Sequence, residues 1–146
     1  MNFGIGFIEF GSEEYMESLD LRRRILREPL GLVFDQADLE KEKDEFHLAA
    51  TYNHHIVGIL LLKPLSISNL KMRQVAVAND LQKKGIGQAL VKYAEEFASA
   101  AGYTAMELHA RDVAQLFYRK LGYCENHETF LEVGIEHKRM WKGLLS

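Results

Sequence analysis

A strand, a short polar turn and a helix follow one another between residues 70 and 90, with two glycines at the turn. The segment reads LKMRQVAVANDLQKKGIGQAL. The first backbone N–H groups of a helix have no intrahelical acceptor, and the helix dipole adds partial positive charge there. Gly85 and Gly87 let a bulky group approach the backbone, and Lys83 and Lys84 add positive charge. The pattern predicts a binding site for a pyrophosphate group.

Two common phosphate loops do not match this segment. A Walker A loop requires G-x-x-x-x-G-K-[ST], which the sequence does not contain. The dinucleotide fingerprint G-x-G-x-x-G/A requires Gly or Ala at position 90, which is Leu90. The segment from Gln82 to Gly87 does match Q/R-x-x-G-x-G/A. It therefore resembles the coenzyme A signature of the GNAT superfamily of N-acetyltransferases, although a glycine-rich turn that only starts a helix would show the same motif.

A second motif follows the first at a plausible distance. Residues 114–123 read AQLFYRKLGY and match A-x-x-F/L-Y-x-x-x-G-F/Y, which GNAT proteins carry after the glycine loop. The neighbouring His109-Ala110-Arg111, the early run LRRRILREPLG and the closing pattern E-x-G-I-x-H-x-x-M, from Glu132 to Met140, resemble the ElaA-like branch of the superfamily. Two motifs in the right order are stronger support for the resemblance than either one alone.

Composition limits the classes of protein that remain. The chain has 146 residues, enough for one domain with a full core, so we expect a single domain over residues 1–146. A net charge of −3 gives no basic footprint for nucleic acid. The single Cys124 is typical of a reducing compartment, and the start of the sequence lacks the pattern of a signal peptide. The longest apolar run, residues 56–62, is too short to span a bilayer. We expect a soluble cytoplasmic protein with no membrane or nucleic-acid partner.

Hydrophobic periodicity predicts the order of elements. Strands are expected at residues 3–10, 46–52, 56–63, 70–78, 104–110, 123–133 and 135–141. A helix capped by Ser12 ends before Pro29, and a short charged helix precedes residue 46. The apolar stripe from Ile86 to Ala98 predicts a long helix that ends near Gly102. Residues 112–121 form another short helix. The order βααβββαβαββ predicts an α/β (α+β) fold, whose mixed, mostly antiparallel sheet of six to seven strands has helices on both faces.

The resemblance to the GNAT superfamily implies how acetyl-CoA, the expected cosubstrate, would bind. In this fold the strand holding Val75 splays from its neighbour, and its free backbone groups pair with pantetheine as an added strand would. The N–H near Val75 would then stabilise the acetyl oxygen. An ordinary strand with ladder bonds on both sides is the alternative. Arg111 stands where many members have an asparagine that bonds the pantetheine arm. The implied cofactor-binding residues are Val75, Ala76, Val77, Gln82, Lys83, Lys84, Gly85, Ile86, Gly87, Gln88, Arg111, Ala114, Phe117 and Tyr118.

Tyr118 is the predicted catalytic acid. The matching tyrosine of relatives lies beside the sulfur. A thiol titrates near ~8.5 and a phenol near ~10, so a phenol can protonate a departing thiolate. The alternative is that Tyr118 packs under the cofactor and only donates a hydrogen bond. We expect Phe117, one position earlier, to be a core residue.

The sequence does not single out one residue as the general base. Relatives use a glutamate on the splayed strand or the one before it, or a water chain, but residues 70–77 contain no carboxylate. Glu107 and His109 alternate along the next strand, share a face, and are the predicted catalytic candidates. The ordinary pKa of a histidine, about 6.5, suits a proton relay near neutral pH. A packed histidine bonded to the backbone is an equally good interpretation of His109, and His137 and Glu132 are further candidates.

The acceptor site is the least defined part of the sequence. Arg22, Arg73 and His137 are candidate substrate-binding residues. Arg22, Arg23 and Arg24 cannot all point the same way on a helix, and a solvated face paired with acids such as Glu28 is the favoured interpretation. His54 and His55 form a hairpin tip without other ligands nearby, so we expect no metal.

Three functions remain in order of preference. The first is transfer of an acetyl group from acetyl-CoA to a primary amine of a small molecule by direct attack, because no Cys–His or Ser–His pair marks a nucleophile. A protein N-terminus or lysine is the alternative acceptor. The second is a non-catalytic acyl-CoA sensor, and the third is an enzyme that binds another nucleotide. A homodimer, common among relatives, is possible.

Overall fold

The computed structural model describes residues 2–144. Its strands are β1 (Gly4–Phe7), β2 (Phe46–Tyr52), β3 (His55–Pro64), β4 (Asn69–Val77), β5 (Ala105–Arg111), β6 (Cys124–Glu125), β7 (Phe130–Glu132) and β8 (Ile135–Gly143). Its α-helices are α1 (Glu13–Arg22), α2 (Gln36–Glu40), α3 (Ile86–Ala100) and α4 (Asp112–Lys120). A π-helical segment, Arg23–Arg27, continues α1, and 3₁₀ turns occur at Glu28–Leu30, Lys41–Asp44 and Asn79–Leu81. The order of strands and helices agrees with the sequence prediction except for one additional strand after α4.

The strands form a mixed, mostly antiparallel sheet in the order β1-β2-β3-β4-β5-β8-β6, and β7 also pairs with β8. The pairing of β4 with β5 is parallel, whereas β5 and β8 run antiparallel. The predicted fold class is therefore confirmed, with eight strands where six to seven were expected. The additional strand arises because the segment predicted as one strand over residues 123–133 stops after Glu125 and resumes at Phe130.

The chain divides into two compact units, which we describe separately. The first contains residues 2–63 and 74–94, and the second contains residues 64–73 and 95–144. The division falls inside β4, after Arg73, and inside α3, after Ala94. The single domain expected from sequence stays a prediction.

In the first unit, α1 and α3 cover opposite faces of β2. The His47 ring lies 5.3 Å from the ring of Tyr15 on α1. Ala50 lies on the other face, because a Cβ built on its neighbour Gly58 would meet both Ala50 and Leu90 of α3. Seven consecutive residues of β3, from Ile56 to Leu62, are buried, as expected for a strand that is covered on both faces. This agrees with the prediction of helices on both sides of the sheet.

Local sequence signals explain where elements of the first unit begin and end. Ser12 caps α1, and its hydroxyl accepts the Tyr15 N–H at 3.1 Å. Asn53 and His54 have φ angles of 50° and 65°, the positive values that a tight two-residue hairpin turn needs between β2 and β3. The helical region after α1 ends at Gly31, which has a φ of 69°. The predicted cap and hairpin are confirmed.

In the second unit, β5 has one buried face and one partly exposed face. Met106, Leu108 and Ala110 are buried, while the alternating residues Glu107, His109 and Arg111 are half-buried. The antiparallel ladder between β5 and β8 covers seven pairs, from Ala105–Gly143 to Arg111–His137. The predicted shared face of Glu107 and His109 is confirmed.

The parallel ladder between β4 and β5 is short. It covers four pairs, from Asn69–Ala105 to Met72–Leu108, although β4 continues to Val77 and β5 to Arg111. The end of the ladder at this point agrees with the splayed central strands of the predicted fold.

Candidate functional site

A compact turn connects β4 to α3 in the first unit. The Leu81 N–H donates to the Ala78 carbonyl at 2.9 Å. The Gln82 side-chain amide donates to the Val77 carbonyl at 3.1 Å and to Asn79 Oδ1 at 3.2 Å. The Gln82 side chain thus stabilises the turn, a role that the motif alone does not reveal.

The loop that follows is exposed and adopts left-handed backbone conformations at two positions. Lys83 has a φ of 65° and Gly85 a φ of 86°. A Cβ added to Gly85 would meet no atom within 4 Å, so the space beside this residue is open. Gln82, Lys83, Lys84, Gly85 and Gln88 are exposed, whereas Ile86 is buried and anchors the first turn of α3. Gly85 therefore allows the left-handed backbone conformation and leaves room for a ligand.

Four consecutive amides at the start of α3 precede its first intrahelical hydrogen bond. The Ala89 N–H donates to the Gly85 carbonyl at 3.0 Å. The N–H groups of residues 85–88 therefore have no acceptor within the helix. Together with the helix dipole and the two exposed lysines, these donors suit a phosphate or diphosphate group.

Close packing against β3 sets the position of α3. A Cβ on Gly58 would lie 2.9 Å from Leu90 Cδ1, 3.0 Å from Ile86 Cγ2 and 3.3 Å from the Ala50 Cβ. The missing side chain of Gly58 thus lets α3, and the donors at its start, lie close to the sheet.

The end of β4 has an unusual backbone. Gln74 has a φ of 55°, a left-handed conformation that is uncommon for a residue other than glycine. Of the three residues that follow, Ala76 is buried, and Val75 and Val77 are half-buried. The Ala78 N–H donates to the Val57 carbonyl of β3 at 2.9 Å. Arg73, a predicted substrate-binding residue, is half-buried in β4.

Arg22 lies in a buried ion pair. Its Nη1 and Nη2 donate to the two oxygens of Glu42 at 2.8 Å and 2.6 Å, and its Nε donates to Gln74 Oε1 at 3.1 Å. Arg22 is 1% exposed and Glu42 is 3% exposed. Arg23 and Arg24 are exposed and pair with Asp20. With all three guanidinium nitrogens bonded inside the protein, Arg22 has no exposed group for an acceptor, so its predicted substrate-binding role is not retained.

In the second unit, Tyr118 of α4 is buried. Its ring lies 5.0 Å from the Phe117 ring and 5.8 Å from the Tyr123 ring. Burial raises the pKa of the Tyr118 phenol above its ordinary value. The hydroxyl therefore stays protonated at neutral pH and is a hydrogen-bond donor, but it is a weaker acid than a free phenol.

Three other predicted cofactor-binding residues surround the start of α4. Arg111 occupies the N-cap position of α4 without a side-chain capping bond, and its Nε is buried with no hydrogen-bond partner among residues 2–144. Ala114 is half-buried. Phe117 is 37% exposed, so the expectation of a core residue is wrong. Helical periodicity places it one residue from buried Tyr118 and therefore on another face of α4.

His109, Glu132 and His137 form a cluster with Phe130. Glu132 Oε1 lies 2.9 Å from His109 Nδ1, and Glu132 Oε2 lies 3.6 Å from His137 Nε2. His137 Nδ1 lies 2.8 Å from the Ile135 carbonyl oxygen. Burial alone would raise the pKa of Glu132, but the hydrogen bond and charge of His109, with the charges of His137 and Lys71, hold it below its ordinary value.

Glu107 pairs with a different residue, Arg139. Its two oxygens accept from Arg139 Nη2 at 3.1 Å and from Arg139 Nε at 3.3 Å. The hydrogen bond to Glu107 raises the pKa of Arg139 above its ordinary value. A carboxylate engaged by a guanidinium fork is a poor proton acceptor, so this geometry favours His109 over Glu107 as a base.

The described residues contain neither a metal-ligand cluster nor a helix that could span a membrane. Within residues 2–144, no set of three or more His, Cys, Asp or Glu side chains is arranged to hold a metal ion. No helix in the same range is long and apolar enough to cross a bilayer.

A family model described as an acetyltransferase (GNAT) domain matches residues 33–144. The uncharacterized N-acetyltransferase YitI of Bacillus subtilis is 27% identical over 135 residues, which cover 88% of this chain and 91% of YitI. The chain belongs to the GNAT acetyltransferase family. It is an acyltransferase enzyme, as predicted from its two motifs.

Solved structures agree with this fold. A Lactobacillus plantarum protein assigned as an N-acetyltransferase has a TM-score of 0.86 at 24% identity. The match covers 99% of this chain and 100% of that chain. A GNAT acetyltransferase from Elizabethkingia anophelis with acetyl-CoA bound has a TM-score of 0.76 at 22% identity, covering 98% and 99%. Escherichia coli ElaA has a TM-score of 0.81, but at 18% identity over 97% and 99% of the two chains it shows the shared fold and not a shared branch.

Sequence reasoning missed two sets of partners. The ion pair of Arg22 with Glu42 and the contact with Gln74 join residues 20 and 52 positions apart. Glu132 was a candidate base in its own right, whereas the structure pairs it with His109. No local pattern in the sequence signals either arrangement.

Proposed function

We propose that this enzyme transfers the acetyl group of acetyl-CoA to a primary amine of a small molecule by direct attack. The observation that carries the proposal is the run of four N–H groups ahead of the first intrahelical bond of α3, beside an open Gly85 and two exposed lysines. These donors match the diphosphate of coenzyme A in charge and in hydrogen-bonding capacity. Arg111, whose Nε is buried without a hydrogen-bond partner among the described residues, stays a predicted cofactor-binding residue.

The backbone after Gln74 is proposed to hold the thioester. Pantetheine would pair with residues 75–77 as an added strand, and the Val75 N–H would donate to the acetyl oxygen. A donor aimed at the oxygen where negative charge develops lowers the barrier to attack. The amine nitrogen then forms a bond to the acetyl carbon while the carbon–sulfur bond breaks. The departing thiolate must therefore be stabilised, and the amine must lose a proton.

Tyr118 is proposed to act on the departing thiolate. Because burial raises the pKa of its phenol, full proton transfer to a thiolate is uphill, and hydrogen-bond donation in the transition state is the role that the chemistry favours. The proton on the sulfur then comes from solvent after the product forms.

His109 is proposed to accept the amine proton, with Glu132 as its partner. Ionised Glu132 can only accept a hydrogen bond, so the proton of a neutral His109 lies on Nδ1 and the lone pair lies on Nε2. In this tautomer Nε2 can accept a proton, as a general base requires. His137 and Arg73 are proposed to line the part of the site that binds the acceptor.

The acceptor is proposed to be a small amine, because the sequence contains no extended acidic stretch that would indicate a peptide-binding groove. A protein N-terminus or lysine is the alternative acceptor, and a sensor without turnover is the alternative role. Cytoplasmic localisation and a homodimer remain predictions, and the oligomeric state can be measured on the purified protein.

The test combines ligand binding with turnover. Acetyl-CoA and coenzyme A should raise the melting temperature of the protein, whereas ATP and NAD should not. Release of free thiol should then require a small amine from a panel that includes lysine-containing peptides. The Lys84→Glu variant should raise KM for acetyl-CoA about tenfold by placing a negative charge beside the diphosphate. Lys92→Glu, an exposed lysine later on α3, is the matched control. Stabilisation by ATP equal to that by acetyl-CoA would contradict the proposal, and binding without thiol release would identify a sensor.

A further inference from the structure

Gln74 is a residue whose conformation has to be held by its surroundings. Its φ of 55° is left-handed, in the middle of a strand, and a side chain with a Cβ adopts this region at a cost. It lies two residues beyond Met72, where the ladder with β5 ends. It also directly precedes Val75, whose N–H is the proposed donor to the acetyl oxygen. The backbone rotation at Gln74 therefore sets the direction of that N–H.

The Gln74 side chain is anchored through Arg22. Arg22 Nε donates to Gln74 Oε1 at 3.1 Å, while the other two nitrogens of the same guanidinium bind the two oxygens of Glu42. Glu42 Oε1 also accepts from the Tyr15 hydroxyl at 2.9 Å. A planar guanidinium makes these three bonds in fixed directions, which a lysine ammonium could not reproduce.

The surroundings of this network leave it little freedom to rearrange. Arg22 and Glu42 are almost completely buried, and the Arg22 guanidinium carbon lies 5.0 Å from the centre of the Phe34 ring. Tyr15 and Arg22 belong to α1, Glu42 to a 3₁₀ turn, and Gln74 to β4. Buried ion pairs add little net stability compared with apolar packing, so a role in specifying one backbone geometry is a better explanation of this pair.

We propose that Arg22, held by Glu42, is a positioning residue that keeps Gln74 in its left-handed conformation and so aims the Val75 N–H at the acetyl oxygen. The inference rests on the proposed acetyl transfer, since it assigns a purpose to the Val75 donor. It gives the first helix a part in the reaction without contact with either substrate.

The test removes the anchor without forcing a new side chain into the core. Gln74→Gly adopts a positive φ freely and loses the amide, whereas Gln74→Glu keeps an oxygen for the Arg22 Nε. The matched control is His54→Gly, which makes the same change at another left-handed residue, with a φ of 65°, in an exposed turn. We expect Gln74→Gly to lower kcat about 10- to 100-fold, with KM for acetyl-CoA within about twofold. Gln74→Glu should keep most of the activity, and His54→Gly all of it.

A second readout is independent of turnover. The amide resonance of Val75 and its hydrogen-exchange rate should change in Gln74→Gly and should be close to those of the wild type in Gln74→Glu. If no amine supports thiol release by the wild type, the proposed function is wrong, and the Val75 amide still decides whether Arg22 and Gln74 position this backbone. An unchanged Val75 amide in Gln74→Gly would overturn the inference, as would an unchanged kcat in an active enzyme.

Discussion

Glu132 Oε1 lies 2.9 Å from His109 Nδ1, although the two residues are 23 positions apart in the sequence. The carboxylate determines which imidazole nitrogen carries the proton, because an ionised carboxylate accepts and cannot donate. A residue on the short strand β7 thus controls the chemistry of a histidine on β5.

Glu132→Gln should lower kcat/KM about tenfold. A glutamine can donate as well as accept, so it no longer requires the proton of neutral His109 to lie on Nδ1, and the fraction with a free Nε2 lone pair falls. Steady-state kinetics with saturating acetyl-CoA would measure the change. Glu128→Gln, a substitution of an exposed glutamate in the preceding loop, is the control and should be neutral. Equal kcat/KM values for the two variants would show that the pairing of His109 with Glu132 has no part in the mechanism.

The pKa of Glu132 also predicts a pH dependence of stability. A carboxyl group whose pKa is lowered by folding stabilises the native state above its ordinary pKa, here 4.5, and this contribution disappears as the pH falls through the folded value. Thermal unfolding of wild type and Glu132→Gln should therefore differ most above pH 4.5 and converge in stronger acid. Because the carboxylate is partly exposed, the difference should be less than about 1 kcal/mol. A gap that widens toward low pH would contradict the assignment.

Tyr118→Phe should lower kcat about tenfold and leave KM for acetyl-CoA within about threefold. The substitution removes a hydroxyl that donates to the thiolate but keeps the ring that packs against Phe117 and Tyr123. The control is Tyr123→Phe, because Tyr123 is a second buried tyrosine whose hydroxyl donates to Glu95 at 2.8 Å. That variant should lose about 1.5–3 kcal/mol of stability, the value of a hydrogen bond to a charged group, with kcat unchanged. Full activity in Tyr118→Phe would show that the tyrosine only packs.

Gly58→Ala should destabilise the protein and weaken acetyl-CoA binding together. The added methyl group would lie 2.9 Å from Leu90 Cδ1 and 3.0 Å from Ile86 Cγ2, so α3 must move away from β3. Overpacking of this kind costs about 1–3 kcal/mol. Chemical denaturation and calorimetric titration with coenzyme A would measure the two effects. Gly6→Ala, on β1, where a Cβ meets nothing within 4 Å, should change neither. If Gly58→Ala is destabilised but still binds coenzyme A tightly, the close packing of α3 on β3 is not needed for the binding site.

Much of the fold follows from local patterns. The apolar stripe of α3 and the glycine after it, the Ser12 cap and the polar hairpin at Asn53 each predicted an element that the structure contains. The segment 123–133 was the exception, since its apolar residues at both ends resemble one strand although a loop separates β6 from β7. Short strands of two and three residues depend on pairing with β8 and carry little signal of their own.

The sequence by itself determined the elements, the family and the loop that presents free amides to a phosphate, because turns, caps and helix stripes depend on residues within a few positions of one another. Only the tertiary structure decided which charged groups meet. Arg22 turned inward to Glu42 and Gln74, Glu107 paired with Arg139, and His109 with Glu132. Such pairings depend on strand register and on helix packing across 20 or more positions, and hydrophobic periodicity specifies a buried face but not the partner that a charge finds there.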